Sequence, residues 1–218
     1  ETVTFAYQGE VEHRDSSGGG GVIKPGDVQW MTAGSGLVHD EYHSDEFSKK
    51  GGTFEMVQLW INLPKRNKMT MPKYQEISNQ DIPKILLGEN TELRVIAGTY
   101  KGQKGPSSTF SEINMYDIIS KENKKVSLKF KNGSNTVILI MCGELEIENQ
   151  TFRDKNILIF EQEGNEVAFK VANDFKALIL NGDPIDEPIV AHGPFVMNTK
   201  EEIYKAFTDY QNGKMGSL

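Results

Sequence analysis

The chain has 218 residues, of which 31 are acidic and 24 are basic, and its formal net charge is −7. Because phosphate binding requires a basic surface, this balance argues against direct binding to nucleic acid. Hydrophobic residues make up 37% of the chain, as in globular proteins, and no apolar run is long enough to span a membrane. Cys142 is the only cysteine, which excludes an internal disulfide and favours a reducing compartment, so we expect a cytoplasmic protein.

Short strands separated by turns dominate the sequence. Glu1 leads directly into a strand pattern, from which we expect further residues upstream of Glu1. The glycine-rich run 16–21 is followed by neither a Lys-Ser/Thr pair nor a helix, so it predicts a flexible hairpin loop rather than a phosphate loop. In chain order, the predicted strands are residues 3–7, 28–31, 37–39, 54–63, 93–97, 114–119, 126–130, 136–141, 157–160, 167–171 and 176–180. Many short strands of this kind indicate a β-sandwich or β-barrel.

An internal repeat relates residues 3–12 to residues 137–146, with Gly9 matching Gly143 at an offset of 134. Two ordinary hairpins would explain the match, and so would two copies of one β-barrel. In the second case we predict a first barrel over residues 1–75, a polar linker over 76–91 and a second barrel over 92–186.

Residues 187–218 differ from the rest of the chain. Thr199 and Glu202 form a capping box, Ile203 and Phe207 recur at helical spacing, and Gly213 ends the pattern. We therefore predict one C-terminal helix over residues 199–212. The apolar segment 188–199 is expected to be buried and to dock on a barrel.

The sharpest chemical feature is the run His39-Asp40-Glu41. On a strand, residues 39 and 41 share a face while Asp40 points away. An imidazole and a carboxylate on one face are half of a His/carboxylate metal site that suits iron. A solvated pair on an exposed strand is the alternative interpretation.

The other three histidines are interpreted as structural or solvated. We expect His13 on a strand surface, His43 in a polar exit loop and His192 hydrogen-bonded in a loop. If the metal ligands are not the ones predicted, His43 and His13 are the residues expected to take their place. No histidine occurs in the second predicted barrel, so any metal chemistry belongs to the first.

Long runs of the sequence resemble the pirin family of the cupin superfamily. The matching runs are residues 1–4, 25–34, 36–41, 58–64 and 187–199. The resemblance implies an all-β bicupin, two cupin-type β-barrels with a short C-terminal helix, in agreement with the repeat. It also implies Fe(II) in the N-terminal barrel, held by three histidines and one glutamate.

Two of those ligands carry over to His39 and Glu41. The other two belong to a His-Pro-His-Arg-Gly-Phe motif that would lie immediately upstream of Glu1. Without that motif, two ligands are not expected to enclose a metal.

The resemblance implies an iron-dependent dioxygenase acting on flavonols such as quercetin, with Glu41 as ligand or as general base. The alternatives are a redox- or iron-sensing co-regulator that binds transcription factors or metabolic enzymes, and a metal-free structural bicupin. The expected partner is accordingly a small aromatic substrate or another protein.

Overall fold

The computed structural model describes residues 1–218. It contains 21 β-strands and two α-helices, and all strand pairs in its sheets are antiparallel. The predicted all-β bicupin class is thereby confirmed. Neither helix has the length and apolar character needed to cross a membrane. Contacts divide the chain into two compact units: unit 1 is Glu1–Asp81 with Ile185–Leu218, and unit 2 is Ile82–Pro184.

Unit 1 consists of two facing sheets, a short hairpin, two helices and two 3-10 turns. Its strands are β1 (Thr2–Gln8), β2 (Val11–Asp15), β3 (Gly20–Ile23), β4 (Val28–Thr32), β5 (His39–His43), β6 (Glu55–Trp60), β7 (Lys73–Ile77), β20 (Val190–His192) and β21 (Phe195–Met197). Its helices are α1 (Asp45–Lys50) and α2 (Lys200–Gln211), and its 3-10 turns are Lys65–Asn67 and Asn79–Asp81. The strand orders are β6-β1-β4-β7 and β3-β2-β5, with β20-β21 as the hairpin.

Unit 2 repeats the arrangement of two facing sheets. Its strands are β8 (Lys84–Leu86), β9 (Thr91–Ala97), β10 (Thr99–Tyr100), β11 (Gln103–Lys104), β12 (Ile113–Ser120), β13 (Lys124–Lys129), β14 (Asn135–Cys142), β15 (Glu144–Ile147), β16 (Gln150–Arg153), β17 (Ile157–Phe160), β18 (Glu166–Val171) and β19 (Phe175–Gly182). The orders are β17-β14-β19-β12-β9-β8 and β13-β18-β15-β16, with β10-β11 as a hairpin.

The repeat seen in the sequence has a structural basis at one corner of each unit. Gly9 leads from β1 into β2, and Gly143 leads from β14 into β15, in each case from the larger sheet to the smaller one. Their φ angles are +80° and +84°, a region that side chains rarely adopt. Both corners therefore require glycine, which explains why these positions align.

The two units differ in the kind of polar side chain that they bury. In unit 2 the inward residues form one large apolar cluster that includes Leu93, Ile118, Ile138 and Phe175. Unit 1 has a smaller cluster of Ala6, Val11 and Ile23 beside further buried apolar residues. It also buries the side chains of Thr4, His13, Asp15, Gln29 and Thr32. The buried histidine lies in unit 1, so a metal site is sought there.

The C-terminal helix matches its prediction. Thr199 is the N-cap of α2, its hydroxyl accepts from the Glu202 amide, and the Glu202 side chain completes the capping box. The expected burial of segment 188–199 was wrong for most of it. Ile189 is 66% exposed and residues 191–194 are also exposed, because the segment forms the two-stranded hairpin β20-β21, which presents one face to solvent.

One further local prediction was wrong. The strand expected over residues 37–39 instead begins at His39 and runs to His43, so the polar run 40–43 is strand rather than exit loop. Ser44 then caps α1 by accepting from the Phe47 amide, with Asp45 and Glu46 in the first turn. The residues predicted as a linker, 76–91, contain the boundary between the two units, which falls after Asp81, together with the end of β7 and all of β8.

Candidate metal centre

Pairing between β2 and β5 determines which side chains meet inside unit 1. The register places His13 opposite Glu41 and Asp15 opposite His39. Side chains at alternate positions share a face, so His39 and Glu41 converge with His13 and Asp15. The ligand atoms of His13, His39 and Glu41 all lie within 4.8 Å of one another. The sequence pattern predicted the pairing of His39 with Glu41 but did not include His13 in it.

Asp40 lies on the opposite face of β5, as strand parity predicts. Its carboxylate accepts from Arg14 Nη2 at 3.0 Å, and both side chains are at least half exposed. It is therefore outside the cluster.

The prediction of a surface position for His13 was wrong, since this residue is only 2% exposed. Its ring stacks on Tyr74, with centroids 4.8 Å apart. Its Nε2 lies 3.2 Å from Asp15 Oδ2, while the buried Nδ1 lies 3.9 Å from Glu41 Oε1 and has no hydrogen-bond partner. Alternation in the run 11–15, with apolar Val11 followed by His13 and Asp15 on one face, was the signal that could have identified it.

Charge around His13 affects its protonation. Burial on its own would lower the pKa of the imidazole, but hydrogen bonding and charge from Glu41 and Asp15 outweigh burial and raise that pKa. Asp15 in turn accepts from the Ser17 amide at 2.8 Å, the Ser17 hydroxyl at 2.6 Å and the Gly19 amide at 3.0 Å. The glycine-rich run after Asp15 is thus tied down by a carboxylate, whereas the sequence predicted a flexible loop.

The Glu41 carboxylate is held by side chains from the facing sheet. Gln58 Nε2 donates to Oε2 at 2.6 Å, Gln29 Nε2 donates to Oε1, and the Thr4 hydroxyl donates to Oε1 at 3.4 Å. Burial would raise the pKa of Glu41, but the nearby His13 imidazole, the hydrogen bond from Gln58 and the charge of His39 outweigh it and lower that pKa. Glu41 is therefore an ionised carboxylate at neutral pH.

An apolar cavity of about 320 Å³ adjoins Glu41. It is lined by Val11, Glu41, Tyr42, His43, Phe54 and Met56. A cavity with one carboxylate at an otherwise largely apolar wall is suited to a small ligand that has a polar edge and a flat apolar body.

His43 and His192 lie outside the cluster. His43 ends β5 instead of lying in an exit loop, and its ring contacts Phe47 and Phe54 with centroids 5.2 and 4.6 Å away. His192 ends β20 instead of lying in a loop, and its ring meets Phe207 edge-on at 5.4 Å. Both rings pack against phenylalanine rings, and neither residue belongs to the cluster of His13, His39 and Glu41.

The residues of the cluster fit a divalent transition metal. Two imidazoles and one carboxylate form a donor set that iron, zinc and related metals accept. The unpartnered Nδ1 of His13 is a buried acceptor or donor without a ligand of its own. The hydrogen bond from His13 to Asp15 resembles the carboxylate contact by which metal-binding histidines are oriented.

Comparisons with known proteins give one consistent result. The family profile described as "Pirin" matches residues 1–61, and the profile described as "Pirin C-terminal cupin domain" matches residues 115–216. A crystal structure of quercetin 2,3-dioxygenase from Acinetobacter baumannii is 50% identical with a TM-score of 0.94, over 99% of this chain and 76% of that chain.

Two curated relatives extend the same match. A Pseudomonas aeruginosa protein that bears the name "Putative quercetin 2,3-dioxygenase" is 45% identical, over 98% of this chain and 75% of its own length. A "Pirin-like protein" of Solanum lycopersicum is 38% identical, over 99% of this chain and 74% of its own length.

Proposed function

The chain belongs to the pirin family, and from that premise we propose that it is an iron-dependent dioxygenase acting on a flavonol such as quercetin. The observation that carries the proposal is the meeting of His39, Glu41 and His13 beside an apolar cavity. The relatives that bear the name quercetin 2,3-dioxygenase supply the substrate class.

In this proposal His39 and Glu41 hold the iron, and the family resemblance adds two histidines from a motif preceding Glu1. When bound, the iron supplies Lewis acidity and a binding site for dioxygen. His13 is positioned either as a further ligand through Nδ1 or as a neighbour that orients Glu41. Its bond to Asp15 holds a proton on Nε2 and so leaves Nδ1 facing the cluster.

Glu41 is also the candidate base for the proposed proton transfer, and to serve as both ligand and base it must be loosely coordinated, since a firmly coordinated carboxylate is a poor base. Its ionised carboxylate accepts the proton of a flavonol hydroxyl that enters from the cavity. Because Gln58, Gln29 and Thr4 hydrogen-bond to that carboxylate, these bonds loosen as the proton arrives. Phe54 and Met56 line the cavity, where they bind the flat apolar rings and exclude water from Glu41.

Metal content tests the ligand assignment. Two proteins are reconstituted anaerobically with ferrous iron and measured by elemental analysis: the chain as printed, and the same chain preceded by His-Pro-His-Arg-Gly-Phe. We expect substoichiometric iron in the first and one iron per chain in the second. In the extended protein His39→Ala abolishes binding, and His43→Ala, the matched control, leaves it unchanged. If His13→Ala retains the iron, His13 is a neighbour that orients Glu41. If the variant loses the iron, His13 is a ligand.

Turnover tests the reaction. The iron-loaded extended protein is mixed with quercetin, and dioxygen uptake is followed together with loss of the flavonol absorbance. We expect coupled consumption of both, and a decrease of about 100-fold or more in Glu41→Gln, since a general base contributes about 10²–10⁴-fold. Iron bound at full stoichiometry with no consumption of quercetin would contradict the proposal and favour the co-regulator alternative.

A further inference from the structure

The last residues of the chain fold back from α2 onto the loop that precedes His39. We name residues 213–216 the C-terminal strap. Gly213, with φ at +71°, turns the chain after the helix, and the Lys214 amide donates to the Asp209 carbonyl at 3.0 Å. Lys214 Nζ also donates to Asp209 Oδ1 at 2.7 Å, and the Gly216 amide donates to the Gly213 carbonyl. The strap therefore has a defined conformation.

Met215 is the part of the strap that packs. It is only 6% exposed, and its side chain lies directly on the backbone of Gly36. A Cβ at Gly36 would be 2.6 Å from the Met215 sulfur and 2.7 Å from its Cε and Cγ. This close approach is possible only because residue 36 has no side chain. The loop that contains Gly36 and the strap therefore have complementary shapes.

Ser16 links the strap to the strand that carries the cluster. Its hydroxyl donates to the Met215 carbonyl at 2.5 Å and accepts from the Val38 amide at 2.9 Å. The Ser16 amide donates to the Val38 carbonyl at 2.8 Å. Val38 immediately precedes His39, and Asp15, the neighbour of Ser16, is paired with His39 in the sheet. One hydroxyl thus joins the strap, the β2-β3 loop and the entry to β5.

We infer that the C-terminal strap is a positioning element for His39. It restrains loop 33–38 through the contact of Met215 with Gly36 and through Ser16, which bonds to both Met215 and Val38, and so holds the His39 imidazole within reach of Glu41. The inference rests on the proposed function for the identity of the metal ligands, but the restraint of the loop does not depend on a metal.

Hydrogen exchange of the metal-free protein tests the restraint. We expect Met215→Ala to increase amide exchange at least tenfold in peptides covering residues 33–39 while exchange in β1 and β4 stays unchanged. Met215→Leu, which nearly conserves volume, should restore protection. Tyr204→Ala on the exposed face of α2 is the matched control, since that side chain is 72% exposed. Equal exchange in Met215→Ala and the control would overturn the inference.

Cobalt(II) affinity of the chain preceded by His-Pro-His-Arg-Gly-Phe, measured from the d–d absorption of the bound metal, tests the consequence for the site. We expect Ser16→Ala and Met215→Ala to weaken affinity about tenfold, the lower end of effects seen for groups that orient ligands. Tyr204→Ala and Met215→Leu should not change it.

Lower thermal stability with unchanged cobalt affinity would make the strap a purely structural cap and overturn the inference. Absence of cobalt binding in the extended protein would instead count against the proposed metal site, and the exchange experiment would still decide on the strap.

Discussion

Polar side chains inside a β-barrel are costly unless each has a partner, and those around Glu41 are connected to one another. Tyr74 donates to Gln29, and Gln29 and Gln58 each donate both to Thr4 and to Glu41. A network of this kind is best explained by the need to hold one carboxylate in one orientation.

Asp15 is also a buried polar side chain with several hydrogen-bond partners, and its contribution to the stability of the fold depends on pH. Burial would raise the pKa of its carboxyl, but hydrogen bonds from Ser17, Gly19 and His13 outweigh burial and lower that pKa. A lowered pKa in the folded protein means that the ionised form stabilises the fold above the unfolded value near 4. That stabilisation is lost as the pH falls through the lower folded value.

We predict that Asp15→Asn destabilises the protein at pH 7 by about 1–3 kcal/mol, because an amide cannot accept all of these bonds. The melting temperature of the variant should also depend less on pH between about pH 5 and pH 3 than that of the parent protein. Thermal unfolding followed by circular dichroism across this range is the measurement. Asp40→Asn, at an exposed site, is the control, and identical pH profiles for Asp15→Asn and the parent would contradict the prediction.

At the residue level, the sequence predicted two of the three residues of the cluster, His39 and Glu41. His39 and Glu41 could be paired because only two positions separate them and strand parity relates them directly. His13 could not be placed with them, since its burial follows from the β2-β5 register, which is set by residues far apart in sequence. Gln29 and Gln58 also gave no signal, because single polar residues within apolar strands look the same on either face.

Among the secondary-structure elements, those with a clear pattern of apolar residues were the ones that the sequence located correctly. Strands such as β9, β12 and β14 are rich in apolar residues and were located to within one or two residues. In β5 only Glu41 is partly buried and the other four residues are exposed, so no alternation distinguishes the strand from a loop. Helix α1 spans six residues, too few for a helical period to emerge, although Ser44 and the acids after it are normal start signals.

The corner glycines provide an element-scale test. We predict that Gly143→Ala destabilises the protein clearly more than Gly164→Ala does. Both residues have positive φ, at +84° and +95°, so both variants incur the conformational cost of about 1–2 kcal/mol. A Cβ at Gly143 would also lie 2.7 Å from the Asp174 carbonyl, whereas nothing lies within 4 Å at Gly164.

Urea unfolding measures this difference in the free energy of unfolding. The close contact at Gly143 involves backbone that cannot rotate away, so we expect the two variants to differ by at least about 1 kcal/mol. Equal destabilisation would mean that the corner can relax and that φ alone explains the requirement for glycine.

At the scale of the whole molecule, two units with related topology have different interiors. Unit 2 contains no histidine, packs a continuous apolar core and buries the ion pair of Arg94 with Asp117. Unit 1 holds the polar side chains around Glu41 in its interior, beside its buried apolar residues. A ligand for this cluster would therefore stabilise unit 1 in a way that unit 2 does not share.

This difference predicts how a metal changes unfolding. A metal that binds only the folded protein adds about 2.7 kcal/mol at a free concentration 100-fold above its dissociation constant. For a chain of this size about 1 kcal/mol corresponds to roughly 2–4 °C, so we expect cobalt(II) to raise the melting temperature by roughly 5–10 °C. If the two units unfold in separate transitions, only the transition of unit 1 should move. Scanning calorimetry of the chain preceded by His-Pro-His-Arg-Gly-Phe, and of its His39→Ala and His43→Ala variants, measures this. The shift should vanish in His39→Ala and persist in His43→Ala, because His43 contacts Phe47 and Phe54 outside the cluster. An equal shift in His39→Ala would mean that the stabilising metal binds elsewhere.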